Sequence, residues 1–537
     1  MKTIREARDT DVNQIRDLFV QVYGKEYPFK GFYDTEWLKK AVYDDGTFFL
    51  IMEMDNRIVA TVSMMLTSGG LDDMIGEIGR LVATTDPKYR GKGLYTELTQ
   101  ILIDKTTDRV QFLMGEARTP HRGSQKILEE LHWTACGFEP MKYLFGKHRE
   151  STLFYIKTQG MAKELRKNNP RVISEASVLA QTVLKNMNYP VDIIVENEVD
   201  GYPIGKGYKI EHLKEQKGVT SLLRIERGRV SNREIFGNFS LSHGFFRIGD
   251  PTTNYLIAKE GDAVLGAVGF IHDPIDKKIR IFELIEFDDA VKGFLLSEVD
   301  RIAREEFQVD YMEVDISAYS PKIQRTFERL GFVPIAYCPS MVFQQVERLD
   351  VIRMTKLCCQ YDPGEMRLLE PGQKIIEIVE KGFEDRMLGM EITDAARKTE
   401  LFKDLADGEL YHLARIARTV EFPKGHILIG QDKEPDNLYI FIDGSAEVTT
   451  GKQIVGNLSS GNICGEMALI DKSPRSANVI LTSNSKLIKI NIERLERLME
   501  SRPRLGYDVV NKLAGSLSSK LKKLNLSTLY MKKFELV

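Results

Sequence analysis

Residues 465–477 read GEMALIDKSPRSA and follow a run of short apolar segments. The main-chain amides of a turn beginning at Gly465 can bind an anionic phosphate, and Arg475 can neutralise its charge with a planar guanidinium. Glu466 can accept a hydrogen bond from a sugar hydroxyl. The stretch therefore predicts a site for a cyclic phosphate ester in a β-barrel. Because such a site does no chemistry itself, we expect the rest of the chain to hold whatever it controls.

Length and composition bound the class of protein. At 537 residues the chain exceeds one hydrophobic core and suggests roughly three to four domains. Its 75 Lys and Arg nearly balance 78 Asp and Glu, so overall charge indicates no nucleic-acid partner. The polar N-terminus and the lack of long apolar runs predict a cytoplasmic protein without a membrane partner. Five cysteines without CxxC pairs predict reduced, structural thiols and no metal site.

The first block of the chain alternates helix and strand patterns. A strand at 3–5 and a helix with apolar residues from Val12 to Val22 precede a hairpin at 48–64. The elements predicted next are a strand at 75–82, a helix through Leu98 and Leu102, a strand at 110–116 and a helix ending at Cys136-Gly137-Phe138.

A second block repeats this order. The predicted elements are a hairpin at 255–268, a strand at 279–287, a helix through 294–302, a strand at 311–314 and a helix at 322–330 that closes on Gly331-Phe332. Proteins of the α+β class can share such elements by chance, but the paired Gly-Phe endings favour a duplication.

The C-terminal third has a different pattern. Residues 350–395 are charged and predicted to be mostly helical, with breaks at Pro363-Gly364 and Pro371-Gly372. After Val420, short strand signals separated by closely spaced turns predict a small barrel. The sequence pattern therefore predicts an α+β multidomain fold. It consists of two mixed-sheet α/β blocks, a helical linker and a jelly-roll β-barrel with flanking helices.

A glycine-bearing turn, Arg90-Gly91-Lys92-Gly93, lies between a predicted strand and helix, where main-chain amides can approach a pyrophosphate. With the preceding hairpin and the Gly137-Phe138 ending, this block resembles the GNAT acetyltransferase superfamily, whose coenzyme A loop reads Arg/Gln-x-x-Gly-x-Gly/Ala. Tyr95 replaces the last small residue. The resemblance implies an acetyl-CoA site that includes Val82, Arg90, Gly91, Lys92, Gly93, Leu94 and Tyr95.

The same resemblance implies a reaction in which an amine attacks the acetyl thioester directly. A lysine amine has an ordinary pKa of ~10.4, so a general base must help to remove its proton at neutral pH. Glu77 lies where many GNAT enzymes keep that base, although a strand carboxylate paired with Arg80 is an equally good interpretation. Glu116 is the reserve candidate. The tyrosine with which the family often protonates the leaving thiolate is not identifiable.

In the second block, the equivalent loop reads DDAVKGF from Asp288 to Phe294. Acidic residues stand where a pyrophosphate would bind, and the glycine pair is missing, so charge repulsion argues against coenzyme binding. We interpret this block as a degenerate GNAT-like repeat that completes a surface or a substrate cleft.

The C-terminal block resembles the cyclic nucleotide-binding domain of catabolite activator proteins, cyclic-nucleotide-dependent kinases and gated channels. Turn glycines in the stretches 422–430 and 437–444 have the family's spacing. Some members of the fold bind no nucleotide, but they usually lose the arginine or the glutamate. The resemblance implies a nucleotide site made by Gly465, Glu466, Met467, Ala468, Arg475, Ser476 and Ala477. Ser476 does not decide whether the ligand is cyclic AMP or cyclic GMP, and we favour cyclic AMP slightly.

These observations predict a cyclic-nucleotide-regulated N-acetyltransferase that uses acetyl-CoA and a small amine or protein lysine as acceptor. A non-catalytic scaffold that binds acyl-CoA or a partner protein is the alternative. A transcription factor would need a DNA-binding helix pair after the barrel, and we do not expect one in this sequence. The acceptor, the sign of regulation and the oligomeric state stay open. The predicted domains are a GNAT domain at 1–160, a degenerate GNAT-like domain at 161–350, a helical linker at 351–394 and a cyclic nucleotide-binding domain at 395–537.

Overall fold

The computed structural model describes residues 2–25, 27, 30–44, 46–66, 73–89, 93–146, 148–205, 207–213, 233–237, 252–286 and 288–534. The chain divides into two compact units, Met1–Gly382 and Phe383–Val537. The division into four segments expected from the sequence stays a prediction.

The first unit holds a mixed sheet of fifteen strands, counted over the part of the chain that the structure describes. Its strands are β1 (Lys2–Glu6), β2 (Thr47–Met54), β3 (Arg57–Met65), β4 (Ile75–Ala83), β5 (Phe112–Arg118), β6 (Thr134–Phe145), β7 (His148–Thr158), β10 (Lys209–Leu213), β11 (Ile235–Phe236), β12 (Thr253–Glu260), β13 (Ala263–Asp273), β14 (Lys278–Glu286), β15 (Tyr311–Ser317), β16 (Val333–Gln344) and β17 (Glu347–Leu357). The short strands β8 (Arg171–Val172) and β9 (Ile194–Val195) pair separately.

Helices pack against this sheet or follow it. They are α1 (Val12–Tyr23), α2 (Thr35–Val42), α3 (Leu94–Thr106), α4 (Gly123–Glu130), α5 (Ser174–Asn186), α6 (Ala290–Glu305), α7 (Pro321–Arg329) and α8 (Glu370–Arg397), which contains the point of division between the units. The apolar residues of α1, Val12, Ile15, Leu18 and Phe19, are buried in one core with residues of β2 and β3, as their helical period predicts.

The sheet consists of two halves with the same strand order. We define the first half as residues 2–158 and the second half as residues 209–357. From its outer edge inward, the first half runs β1-β2-β3-β4-β5-β7-β6, and the second runs β10-β12-β13-β14-β15-β17-β16. The fourth and fifth strands are parallel in each half. The halves join where Gly137 of β6 pairs with Ala336 of β16.

Two buried arginines connect the halves reciprocally. Arg149 of the first half donates a hydrogen bond to the carbonyl of Asp276 in the second half at 2.8 Å. Arg348 of the second half donates to the carbonyl of Asp73 in the first half at 2.7 Å. The side chains of both aspartates accept main-chain N–H groups of the opposite half. Each half therefore completes the hydrogen bonding of the other.

Three local expectations differ from the structure. The helix expected to end at Cys136-Gly137-Phe138 ends at Glu130, and the Gly-Phe pair lies inside β6, where it forms the seam with β16. The stretch expected to be helical from residue 350 begins as strand β17. Pro371 lies inside α8, because the first helical turn needs no N–H donor at that position.

The second unit contains two four-stranded sheets and flanking helices among its described residues. Its elements are α9 (Asp407–Ile416), β18 (Ala417–Phe422), β19 (Ile427–Ile429), β20 (Asn437–Asp443), β21 (Ser445–Thr450), β22 (Gln453–Ser459), β23 (Ile463–Cys464), β24 (Asn478–Leu481), β25 (Ser485–Asn491), α10 (Ile492–Ser501) and α11 (Pro503–Phe534). The sheets run β18-β25-β20-β23 and β19-β24-β21-β22. Leu505, Val509 and Leu513 of α11 bury against the barrel-like domain. In the part of the chain that the structure describes, no helix is long and apolar enough to cross a membrane.

The seam between the halves has no room for a side chain at Gly137. A Cβ atom there would lie 2.3 Å from the Cβ of Ala336 and 2.7 Å from the carbonyl oxygen of Ile335. We expect Gly137→Ala to lower the free energy of unfolding of the first unit by about 1–3 kcal/mol, the usual cost of overpacking. Urea unfolding followed by tryptophan fluorescence measures this, because both tryptophans, Trp37 and Trp133, lie in the first unit.

Gly123→Ala is the matched control, since a Cβ atom at Gly123 meets no atom within 4 Å. Equal urea midpoints for the two variants would contradict the close approach at the seam.

Candidate functional site

The first half contains an opening between two parallel strands. β4 and β5 are hydrogen-bonded from Ile75 to Ile78, where Ile78 pairs with Gly115, and both strands then continue apart. Arg80, just beyond the last pair, has a φ of 56°, and the register between β3 and β4 shifts there. No described strand pairs with residues 116–118 on this edge. The opening leaves main-chain polar groups for which a ligand can compete.

The residues predicted to bind the coenzyme lie around the start of α3. Gly93 is the N-cap of α3 with a φ of 66°, a conformation that glycine adopts without strain. Leu94 is buried, and Tyr95 is half-buried. The side chain of Val82 is buried in the apolar core beside α1, so only its main chain can face a ligand. Arg90, Gly91 and Lys92 lie outside the described residues.

The two candidate bases lie on the neighbouring strands β4 and β5. Glu77 is half-buried and pairs in register with Met114, one residue before the strands part. Glu116 accepts a hydrogen bond at 2.6 Å from the ammonium of Lys142 on β6. Glu116 is therefore held in a partly buried ion pair, whereas Glu77 stands directly beside the opening.

The predicted nucleotide site lies around a short 3-10 helix in the second unit, Glu466–Leu469. Its N-cap Gly465 has a φ of 86°, and a Cβ atom there would lie 2.8 Å from the carbonyl oxygen of Asn437. Arg475 is 8% exposed and donates to the carbonyls of Gly465 at 3.0 Å and Asn437 at 2.5 Å. The arginine thus lies beside the predicted phosphate-binding turn.

The other predicted nucleotide-binding residues differ in exposure. Glu466 and Ala477 are half-buried, Ala468 is buried, and Met467 and Ser476 are exposed. The structure therefore brings the glutamate, the turn and the arginine of this stretch together, with Ser476 at the surface.

Family models match both parts of the chain. A model described as "Acetyltransferase (GNAT) family" matches residues 12–133, and one described as "Cyclic nucleotide-binding domain" matches residues 419–502. The chain carries a GNAT domain and a cyclic nucleotide-binding domain. The family resemblance expected for these two parts is confirmed.

Known proteins are similar to limited parts of the chain. The Pycsar effector protein XpPycTIR of Xanthomonas perforans is 31% identical over 114 residues, which are 21% of this chain and 36% of that protein. A cAMP-dependent protein kinase regulatory subunit of Mycosarcoma maydis is 32% identical over 83 residues, or 15% and 16% of the two chains. The chain thus spans well under half of either relative.

A solved cyclic nucleotide-binding domain from Methylobacillus flagellatus KT is also similar to this chain. It is 25% identical, the match covers 26% of this chain and 80% of that one, and the TM-score is 0.24.

A cluster of buried charges connects the GNAT domain to the second half, and sequence reasoning missed it. The junction cluster consists of Glu116, Glu139, Lys142, Arg280, Glu313, Asp315 and Arg353. Lys142 lies 2.9 Å from Glu139, which also accepts from Arg353 of the second half at 2.7 Å. Arg353 in turn forms two hydrogen bonds with Asp315.

Electrostatics in the junction cluster favour the charged forms of most members. Burial by itself would raise the pKa of Glu313, but the surrounding cations, Lys142 foremost, hold that pKa at about 2. Burial likewise opposes ionisation of Asp315, yet Arg353 keeps its pKa below the ordinary value. Burial and the charge of Glu116 raise the pKa of Glu139.

The corresponding opening in the second half is filled by the chain itself. β14 and β15 pair only as far as Ile281 and Val314, and β11 then pairs with β15 at Asp315 and Ile316. A Cβ atom at Gly237, directly after β11, would lie 2.4 Å from the Cβ of Phe282 on β14. β11 therefore occupies the space between the two strands.

The start of α6 in the second half is closed in the same way. Lys292 forms ion pairs with Glu234 at 2.8 Å, Glu286 at 2.9 Å and Asp289 at 3.1 Å. A Cβ atom at Gly293 would lie 2.4 Å from the carbonyl oxygen of Pro203. The chain's own segments thus stand at the start of α6, the counterpart of the start of α3 in the GNAT domain.

The nucleotide site connects to a helix through residues that the sequence analysis did not select. Asp436 lies 3.9 Å from Arg475, and its carbonyl accepts hydrogen bonds from Asn491 and from the N–H of Ile492 at the start of α10. The side chain of Asn491 caps the same helix. The long-range pairing of β20 with β25 brings Asn491 beside Asn437, so local sequence patterns give no signal for this connection.

The low pKa of Glu313 predicts a pH-dependent contribution to stability. Because the pKa is lowered from 4.5 to about 2 on folding, the ionised carboxylate stabilises the fold above pH ~4.5, and this is lost as pH falls towards 2. This lowering of the pKa corresponds to about 3 kcal/mol of stability. We expect Glu313→Gln to cost about that much at pH 7 and less than half at pH 3, measured by urea unfolding with tryptophan fluorescence.

Glu36→Gln serves as the control, because Glu36 is 74% exposed and exposed ion pairs contribute little. A loss for Glu313→Gln that stayed constant between pH 7 and pH 3 would show that the carboxylate is not stabilised by its cations.

Proposed function

We propose that the chain is a cyclic-nucleotide-regulated N-acetyltransferase. The GNAT domain transfers an acetyl group from acetyl-CoA to an amine, and a nucleotide bound by the second unit controls the rate. One observation carries this proposal: the opening between β4 and β5 is free of other described strands, whereas β11 fills the equivalent opening in the second half. A relative that is named as an effector supports a nucleotide-controlled output.

The coenzyme would bind along the opening and at the start of α3. The pantetheine arm of coenzyme A carries amide groups, which can pair with the main-chain groups that β4 and β5 leave where they part. The pyrophosphate would bind the first amides of α3, where Gly93 has the backbone conformation of a tight turn. Val82, Leu94, Tyr95 and the turn Arg90–Lys92 complete the proposed site.

Glu77 is the proposed general base. It accepts a proton from the acceptor ammonium, the amine nitrogen forms a bond to the acetyl carbon, and the carbon–sulfur bond breaks. The nitrogen then gives its remaining excess proton to the departing thiolate, so that the products are the acetylated amine and the free coenzyme thiol. The position of Glu77 beside the opening supports this role. Glu116 is the weaker candidate, because Lys142 already holds its carboxylate at 2.6 Å.

We further propose that the second half is a degenerate GNAT-like repeat. The repeated strand order supports common ancestry of the halves, and β11 together with the ion pairs of Lys292 accounts for the loss of coenzyme binding. The filling of this opening by the chain itself explains the loss of coenzyme binding better than the charge repulsion expected from Asp288 and Asp289.

The second unit is the proposed sensor, with cyclic AMP slightly favoured over cyclic GMP. Gly465, Ala468 and their neighbours would bind the phosphate through main-chain amides, Arg475 and Ser476 through side chains, and Glu466 would accept from the ribose hydroxyl. The nucleotide can change the rate only by binding two conformations with different affinity, and each tenfold shift needs about 1.4 kcal/mol.

A scaffold that binds acyl-CoA without turnover is the second candidate. The ion pair that engages Glu116 and the presence of Tyr95 in place of a small residue favour it. Binding of acetyl-CoA without release of free thiol, over a panel of amines, would select the scaffold.

Substitution of the proposed base tests the chemistry. We expect Glu77→Gln to lower kcat by about 10²–10⁴-fold with little change in acetyl-CoA binding, because the amide cannot accept the proton. Release of the coenzyme thiol, followed with a thiol-reactive dye, gives the rate, and calorimetry gives the affinity.

Glu53→Gln is the matched control, since Glu53 is a strand carboxylate of the same domain that pairs with Arg5 at 2.9 Å. If Glu77→Gln turned over at the rate of this control, Glu77 would be only a structural carboxylate.

Substitution of Arg475 tests the sensor. We expect Arg475→Lys to weaken cyclic nucleotide binding by about 10- to 100-fold, because lysine keeps the charge but lacks the planar donors that reach both carbonyls and the phosphate. Calorimetry with cyclic AMP and with cyclic GMP measures the affinity.

Lys472→Gln is the control, because Lys472 is an exposed cation of the same stretch that pairs with Glu496. Unchanged affinity in Arg475→Lys would remove the arginine from the proposed site.

A further inference from the structure

The junction cluster carries more negative than positive charge. It contains four carboxylates and three cations. Lys142 lies within hydrogen-bond distance of Glu116 and Glu139. The guanidinium of Arg353 is shared between Glu139 and Asp315. These hydrogen bonds engage three of the four carboxylates and do not include the fourth.

That carboxylate is Glu313 on β15 of the second half. Its Oε2 atom is buried and has no hydrogen-bond partner among the residues that the structure describes. Lys142 lies 3.8 Å from Oε2 and Arg280 lies 3.6 Å from Oε1, which are ion-pair distances without hydrogen bonds. A buried, ionised oxygen of this kind calls for a donor, and a cationic donor would also balance the charge.

The cluster reaches the surface next to the proposed base. Lys142 and Glu313 are about one-twentieth exposed, whereas Glu116 of the first half and Arg280 of the second half are 20% and 21% exposed. Glu77 belongs to the same neighbourhood, because its charge acts on Arg280 along with those of Glu313 and Asp315. The junction cluster therefore extends from buried Glu313 to Glu116 and Arg280, which solvent reaches between the halves.

We propose that Glu313 Oε2 binds a second ammonium group of the acceptor, so that the acceptor is a small diamine or polyamine. This inference rests on the proposed acetyl transfer. The reacting amine lies at Glu77, and the distal ammonium passes between the partly exposed side chains of Glu116 and Arg280 and donates to Glu313. The second half, without a coenzyme site of its own, then supplies the specificity of the first.

The test compares matched acceptors on the full-length protein with acetyl-CoA. Butylamine and 1,4-diaminobutane have the same four-carbon chain and differ in the distal ammonium. We expect kcat/KM to be at least tenfold higher for the diamine than for butylamine, and we expect Glu313→Gln to bring this ratio close to one. Equal values for the two amines in the wild type would overturn the proposal, and this comparison needs no variant.

Glu211→Gln is the matched control, because Glu211 is another carboxylate of the second half and pairs with Lys259. It should keep the preference for the diamine. If Glu313→Gln does not fold, Glu313→Asp keeps the charge but withdraws the oxygen, and it should reduce the ratio.

Calorimetry separates this inference from the proposed function. Binding of 1,4-diaminobutane that Glu313→Gln loses, without turnover of any amine, would overturn the acetyl transfer but support the subsite. Turnover with unchanged diamine preference in Glu313→Gln would overturn the subsite alone, and Oε2 would then be the partner of an internal water. Efficient turnover of a lysine peptide with no diamine preference would also overturn it.

Discussion

Each half of the first unit places a buried guanidinium against the main chain of the other. Arg149 and Arg348 each donate to a carbonyl of the opposite half and to carbonyls of their own hairpin. A buried guanidinium without such acceptors is costly, because the charge and its donors lose their water. Separation of the halves would strand both arginines and expose the seam at Gly137. The two halves are therefore stable only together, and this fixes the position of the second half's charges beside the GNAT domain.

The two halves differ at matching positions of the same strand pair. One residue before the strands part, the first half has Glu77 opposite Met114, and the second has Arg280 opposite Glu313. A carboxylate suits a role in proton transfer, whereas the arginine is committed to ion pairs with its neighbours. Beyond this point, one opening stays free of described strands and the other receives β11. The two halves thus share a strand order and differ, at this strand pair, in their side chains and in whether another described strand fills the opening.

Sequence patterns predicted the elements that depend on local periodicity. The hairpins, the strands that follow them and the turn at Gly465 follow from alternation and turn residues, and the structure contains them. The prediction of a helix that ends at Gly137 was wrong, because that glycine pairs with a residue of β16 about two hundred residues away. The junction cluster and β11 were missed for the same reason. Ion pairs between residues such as Lys142 and Glu313 depend on the sheet order, which no local window contains.

The second unit uses the same physical device for a different purpose. Arg475, like Arg149 and Arg348, is a buried arginine that donates to main-chain carbonyls. Because the guanidinium is planar and rigid, it fixes the separation of the carbonyls of Gly465 and Asn437. The neighbouring carbonyl of Asp436 is bound to the start of α10. Arg475 thus connects the turn at Gly465 to Asn437, whose neighbouring carbonyl holds the start of α10.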